Sequence, residues 1–202
     1  MTGSFLVEEQ VREAFQENRN GVADVLERVG WWYGTPLFTV PATLLTLGAG
    51  ELFNDSEVTD TGVLMSQLLL SLLFVQQPIR ITVGRARPYT NEGHWSFRPF
   101  TVGKEYASFP SGHSWGAFGI SNIVARQIDQ TWASVTLYTL ATITALSRLY
   151  ADAHWLTDVV LGSVVGYVVS TALWNRRHDD DSSLEFALEA PVQRWLVISL
   201  DL

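Results

Sequence analysis

GVLMSQLLLSLLFVQQPIRITVGRARP, residues 62–88, runs eighteen residues without a charge and then delivers three arginines and a proline. An uncharged run of that length can cross the apolar part of a bilayer. Residues 62–79 therefore predict a long apolar helix, kinked at Pro78, whose missing N–H removes a helix hydrogen bond. Arg80 and Arg87 are seven apart, two helical turns, and share a face if the helix continues that far before Pro88 stops it. Two arginines at the end of an apolar helix need an anion or a carboxylate to meet them, unless they simply snorkel to an interface.

Outward from this stretch the pattern repeats. Residues 31–50 (WWYGTPLFTVPATLLTLGAG) carry no charge, with Trp31, Trp32 and Tyr33 as interface residues and Pro36 and Pro41 as interruptions. An acidic loop is expected over 51–60. Further helices are expected over 111–128, 132–147 and 155–174, the first rich in small residues and the last carrying a Gly162-x3-Gly166 spacing suited to close helix packing. Residues 4–29 read as a charged amphipathic helix, or two helices broken at Asn20-Gly21. After the polar stretch 175–182, alternation resumes over 184–202, which predicts a small β-hairpin with a break at Ala190-Pro191. The expected fold is all-α: a membrane-embedded bundle of about five apolar helices over 31–175, an amphipathic N-terminal helix over 1–30 and a polar, β-like tail over 176–202. A soluble helical bundle is the alternative.

The 202 residues carry a net charge of −8, and there is no basic stripe to neutralise a nucleic-acid backbone. No cysteine is present, which removes disulfides and thiolate metal sites. The first thirty residues show no basic region followed by an apolar stretch, so no signal peptide is expected. Arg126 and Arg176–Arg177 fall at the end of the bundle opposite Arg80 and Arg87, and the positive-inside rule would make that end cytoplasmic. The 51–60 acids on the same side lend that orientation no support.

Two other stretches carry chemistry. In SRLYADAHWLTD, residues 147–158, His154 and Asp158 are four apart and lie on one face if helical. A carboxylate there would hold one imidazole nitrogen, fix the tautomer and leave the other nitrogen free to attack. Arg148 is suited to a bidentate grip on phosphate oxygens. Any such His–Asp pair is also a common helix-surface contact. In ASFPSGHSWGAF, residues 107–118, Ser111 reads as a helix cap, Gly112 allows close approach to free backbone N–H groups, and His113 stands in the first turn beside any bound anion.

Together the three stretches resemble the signature of the phosphatidic acid phosphatase type 2 superfamily: Lys-x6-Arg-Pro, Pro-Ser-Gly-His and Ser-Arg-x5-His-x3-Asp. Here they read Arg80-x6-Arg87-Pro88, Pro110-Ser111-Gly112-His113 and Ser147-Arg148-x5-His154-x3-Asp158. One position departs, Arg80 standing where the family has lysine. The resemblance covers about residues 62–175 and implies a metal-independent phosphatase. In it His154 takes the phosphoryl group as phosphohistidine, Asp158 orients His154, and His113 protonates the leaving oxygen and then activates water. Arg80, Arg87, Ser111, Gly112 and Arg148 would bind the phosphate. No cofactor is implied; vanadate would act as an inhibitor. The implied substrate is a phosphorylated lipid or polyprenyl diphosphate at the outer, periplasmic face of a bacterial inner membrane, with oligomeric state unspecified. Alternatives are a soluble periplasmic acid phosphatase of the same superfamily, a vanadium-dependent haloperoxidase using vanadate as prosthetic group, or a non-catalytic phosphate- or lipid-binding membrane protein.

Overall fold

The computed structural model describes residues 3–189. Within them the chain forms α1 (Gly3–Glu17), α2 (Gly21–Gly34), α3 (Pro36–Phe53), α4 (Ser56–Ser71), α5 (Gln77–Val83), α6 (Gly112–Ile128), α7 (Thr131–Tyr150) and α8 (Leu156–Glu189). A π-helical turn, Leu72–Gln76, joins α4 to α5 in one continuous rod. Pro78 explains it: the ring cannot accept the preceding carbonyl geometry of a regular α-helix, and the wider turn relieves the clash just upstream.

The N-terminal segment is two helices. Asn20 Oδ1 accepts from the Ala23 N–H at 3.0 Å and caps α2. The uncharged run 31–50 is also divided. Trp31, Trp32 and Tyr33 finish α2, and the chain turns at Thr35 so that Pro36 opens α3, where a missing N–H costs nothing. The acidic loop expected over 51–60 shrinks to Asn54 and Asp55, because Asn54 takes a left-handed conformation and Asp55 caps α4 through the N–H groups of Glu57 and Val58. The hairpin expected over 184–202 is corrected in its first half: α8 continues to Glu189, since the first strong helix breaker in that part of the sequence is Pro191. Its second half, 190–202, lies outside the described residues.

α6 is the central helix. Leu64, Met65 and Leu68 of α4 pack on its Trp115, Ile120 and Ile123, with Val165, Val169 and Leu173 of α8 closing the cluster. Small residues let the helices approach. A Cβ on Gly119 would stand 2.5 Å from a Leu68 methyl, and Cβ atoms on Gly162 and Gly166 would stand 2.5 and 2.2 Å from the carbonyl oxygens of Ser111 and Trp115. The Gly-x3-Gly spacing thus seats α8 directly on the start of α6. Asn122 ties this core together, donating to Ser170 and Thr171 of α8 and accepting from Tyr138 of α7.

Among the described residues three helices are long and apolar enough to cross a membrane: α3, the α4–α5 rod over Ser56–Val83, and Leu156–His178 of α8. Their outer faces expose Leu44, Leu45, Leu73, Phe74, Val164 and Val168. In water these would form a large apolar patch; in lipid they face their proper solvent.

Candidate active site

All three chemical stretches meet at one end of the bundle. Arg80 and Arg87 do not share a helix face as expected. Gly84, at φ 57°, ends α5, and a Cβ there would lie 1.9 Å from the Arg98 carbonyl oxygen, so the left-handed turn belongs to glycine. Arg87 lies in the extended segment beyond. The two guanidiniums converge instead on the Ala107 carbonyl, which accepts from Arg80 Nε and Nη2 at 3.1 and 2.6 Å and from Arg87 Nη2 at 3.3 Å. Arg87 Nε is buried without a partner.

Ser111 caps α6 as expected, accepting from Ser114 N and Oγ, and its own N–H donates to the Asp158 carbonyl. Gln76, buried in the π-turn, donates from Nε2 to the Pro110 carbonyl and fixes the approach to the cap. Gly112 opens the helix, and His113 follows with its Nε2 buried and unpartnered. Arg148, in the last turn of α7, is held by Ser147 Oγ at 3.0 Å and Glu27 at 2.8 Å. Arg80, Arg87 and Arg148 all lie within electrostatic reach of His113, and Arg80, Arg87 and His113 within reach of His154.

The direct His154–Asp158 hydrogen bond expected from their spacing is not formed. Asp152, in the left-handed conformation, turns the chain after α7, and α8 begins only at Leu156, so His154 is not on the helix. The nearest approach of Nδ1 to the Asp158 carboxylate is 3.9 Å. His154 Nδ1 instead lies 2.6 Å from the Ser108 carbonyl. A carbonyl can only accept, so Nδ1 carries the proton and Nε2 presents its lone pair. Burial, with Arg87 and Arg80 nearby, holds the imidazole well below its ordinary pKa and keeps it neutral.

Asp158 is fully buried. It accepts from Arg85 Nη1 and Ser108 Oγ, each at 2.5 Å, and from the Trp155 N–H at 2.9 Å. The last bond is the reciprocal half of a capping box, in which an acidic third residue reaches back to the cap N–H. Four of these residues were missed as site members in the sequence: Ser108, Gln76, Glu27 and Arg85. Only Arg85 gave a signal, as one of the few arginines grouped in that region. Among the described residues no three His, Asp or Glu side chains gather where they would hold a metal ion.

Beside Arg80 and His113 opens a cavity of about 420 Å³, lined by Leu69, Leu70, Leu72, Leu73 and Val40. Leu70, Leu73 and Val40 are also exposed on the outer face. The arrangement offers an unprotonated imidazole nitrogen, three arginines, a capped helix N-terminus and a second imidazole, with an apolar trough leading in. That set can bind a tetrahedral anion and attack it.

Known proteins resemble this chain in sequence and in fold. The chain is similar to the lipid A 1-phosphatase of Porphyromonas gingivalis, 37% identical over 82 residues, and to that of Rhizobium etli, 34% identical over 110 residues. Those alignments take in 39% and 52% of this chain but only 18% and 43% of the two relatives, so the chain spans less than half the length of either. The fold is shared with the crystal structure of a transmembrane PAP2-type phosphatidylglycerolphosphate phosphatase from Bacillus subtilis (TM-score 0.71, 21% identity, 89% of this chain and 88% of that one). It is shared too with Aquifex aeolicus LpxE (TM-score 0.64, 16% identity, 87% and 99%). The PAP2 superfamily model matches residues 62–181, which hold all three motifs. With that match covering more than half its length, the chain belongs to the PAP2 superfamily, as a membrane-embedded helical bundle.

Proposed function

We propose that this chain is a metal-independent phosphatase that removes phosphate from a membrane lipid through a phosphohistidine at His154. The observation that carries the reading is the bond from His154 Nδ1 to the Ser108 carbonyl. It leaves Nε2 as an unprotonated nucleophile beside Arg80 and Arg87. Nε2 attacks phosphorus; burial and the three arginines lower the His113 pKa to about 3, and the phosphate dianion that neutralises those arginines restores its proton, which His113 gives to the leaving oxygen as the P–O bond to the lipid breaks. His113, now neutral, takes a proton from water, whose oxygen attacks phosphorus and breaks the P–N bond, releasing inorganic phosphate. Arg80, Arg87, Arg148 and the backbone at Ser111–Gly112 stabilise the charge gathering on the equatorial oxygens. Vanadate, a phosphate analogue, would occupy the same cradle and inhibit.

The apolar cavity beside His113 favours a lipid over a soluble phosphomonoester, since it leads from exposed Leu70 and Leu73 to Arg80. The names of the relatives make lipid A bearing a 1-phosphate a first substrate to try, with phosphatidic acid, phosphatidylglycerol phosphate and a polyprenyl diphosphate beside it. The site would face the periplasmic side of a bacterial inner membrane. The test is phosphate release from this panel and a soluble aryl phosphate, in detergent with EDTA. EDTA-resistant release from a lipid, abolished in His154→Ala, is the expected result. Release that survives in that variant would remove His154 as nucleophile, and a preference for the aryl phosphate would remove the lipid.

A further inference from the structure

Glu8 lies on α1, far in sequence from every motif, yet it is only 6% exposed. Its carboxylate accepts from Arg85 Nη2 at 2.6 Å and from the backbone N–H and hydroxyl of Thr157. Arg85, itself buried, thus lies between two carboxylates, Glu8 on one side and Asp158 at 2.5 Å on the other. Asp158 accepts the Ser108 hydroxyl, and the Ser108 carbonyl holds His154. Arg85 also accepts the Ser108 N–H through its own carbonyl, at 3.1 Å. A continuous line of contacts therefore runs from Glu8 through Arg85, Asp158 and Ser108 to His154.

We infer that Glu8 is a positioning residue for His154, acting through Arg85. The inference rests on the function proposed above. Anchoring alone does not explain a buried carboxylate here, because α1 is already fastened by the Arg12–Asp152 ion pair at 2.7 Å and by Glu9 on His94 at 2.9 Å. An ion pair is a costly anchor to bury, and apolar packing would serve as well. What a carboxylate adds is commitment of Arg85. With Nη2 on Glu8, Nη1 on Asp158 and Thr157, and Nε on the His94 carbonyl, every nitrogen of the Arg85 guanidinium is engaged, and Glu8 is the partner that holds Nη2. Asp158 keeps its counter-charge, and Ser108 keeps the imidazole aimed. Glu8 touches no reacting atom.

The test uses the full chain in detergent. In Glu8→Gln, kcat falls about tenfold, the usual scale for losing one charge-assisted bond, while KM stays within twofold. In an Arg85→Gln background the same substitution changes nothing further, because its route to the site is already cut. Glu9→Gln, a matched loss of charge on the same helix, leaves kcat unchanged. Equal losses from Glu8→Gln in both backgrounds, or a loss confined to KM, would overturn the inference. A second readout needs no turnover: the His154 Nδ1–H resonance, assigned by its disappearance in His154→Gln, exchanges with water at least several-fold faster in Glu8→Gln. Unchanged exchange overturns the positioning role. An unmutated protein that releases phosphate from no substrate refutes the proposed function, and the exchange comparison still decides the role of Glu8.

Discussion

Ser108 serves two partners at once, giving its hydroxyl to Asp158 and lending its carbonyl to His154. Ser108→Ala keeps the carbonyl but removes the bond that fixes it. Losing a hydrogen bond to a charged group corresponds to a drop in kcat of roughly ten- to a hundredfold, read as phosphate release with KM followed in parallel. Asp158→Asn is a different kind of change, because it leaves Arg85 half-paired in a buried site. Breaking such a pair costs about 3–5 kcal/mol, which thermal unfolding in detergent would register. His154 adds a pH signature. Its imidazole is kept neutral in the fold, while the unfolded chain takes up a proton below about pH 6.5. The unfolded state then binds more protons, so stability falls as pH drops below that point, by up to about 1.4 kcal/mol per pH unit from this group, with no slope from it above. Melting curves of the wild type and His154→Gln between acid and neutral pH should show a shallower acid limb in the variant. A parallel pair of limbs would place the titrating group elsewhere.

The seating of α8 on α6 makes a sharp prediction for the glycines. Gly162→Ala would press a methyl against the Ser111 carbonyl, at the cap that shapes the anion site, whereas Gly48 on α3 has open space around its Cβ position. Overpacking of this kind costs about 1–3 kcal/mol, so Gly162→Ala should lower the melting temperature and phosphate release together. Gly48→Ala should leave release unchanged and raise stability slightly through helix propensity. These elements were largely legible beforehand, because uncharged length, small-residue spacing and caps are local signals. Ser111 capped its helix where expected, and Asn20 broke the N-terminal segment at one of the two readings offered. What failed did so for local reasons as well. The three alternating apolar residues at 184–188 favour a strand, but so short a run does not stop a helix already under way, and α8 continues to Glu189. The His154–Asp158 pair obeyed helical spacing only until the turn at Asp152 removed His154 from the helix. Arg85 and Ser108 carry no periodic mark, because their partners belong to other segments.

At the level of the whole chain, the reactive end and the Arg126 end lie at opposite poles of the bundle. The chain has no cysteine, so single cysteines report orientation without prior removal of others. Val102, 86% exposed in the loop that leads to Ala107, should as Val102→Cys react with an impermeant maleimide added outside spheroplasts. Gln130→Cys, in the exposed turn between α6 and α7, should react only after permeabilisation. The reverse pattern would invert the topology. The network that begins at Glu8 also fixes an order of events in the life of the protein. Glu8 finds Thr157 across 149 positions of sequence, and Arg12 finds Asp152 across 140. At about 5–20 residues per second, the ribosome delivers the second partner on the order of ten seconds after the first. Arg85 arrives about halfway through that interval to meet Glu8, but Thr157, Asp158 and His154, the nucleophile of the proposed mechanism, have not yet been synthesised. On the proposed mechanism, activity would therefore switch on once, late, when the start of the last long helix arrives, and a chain interrupted before His154 should release no phosphate.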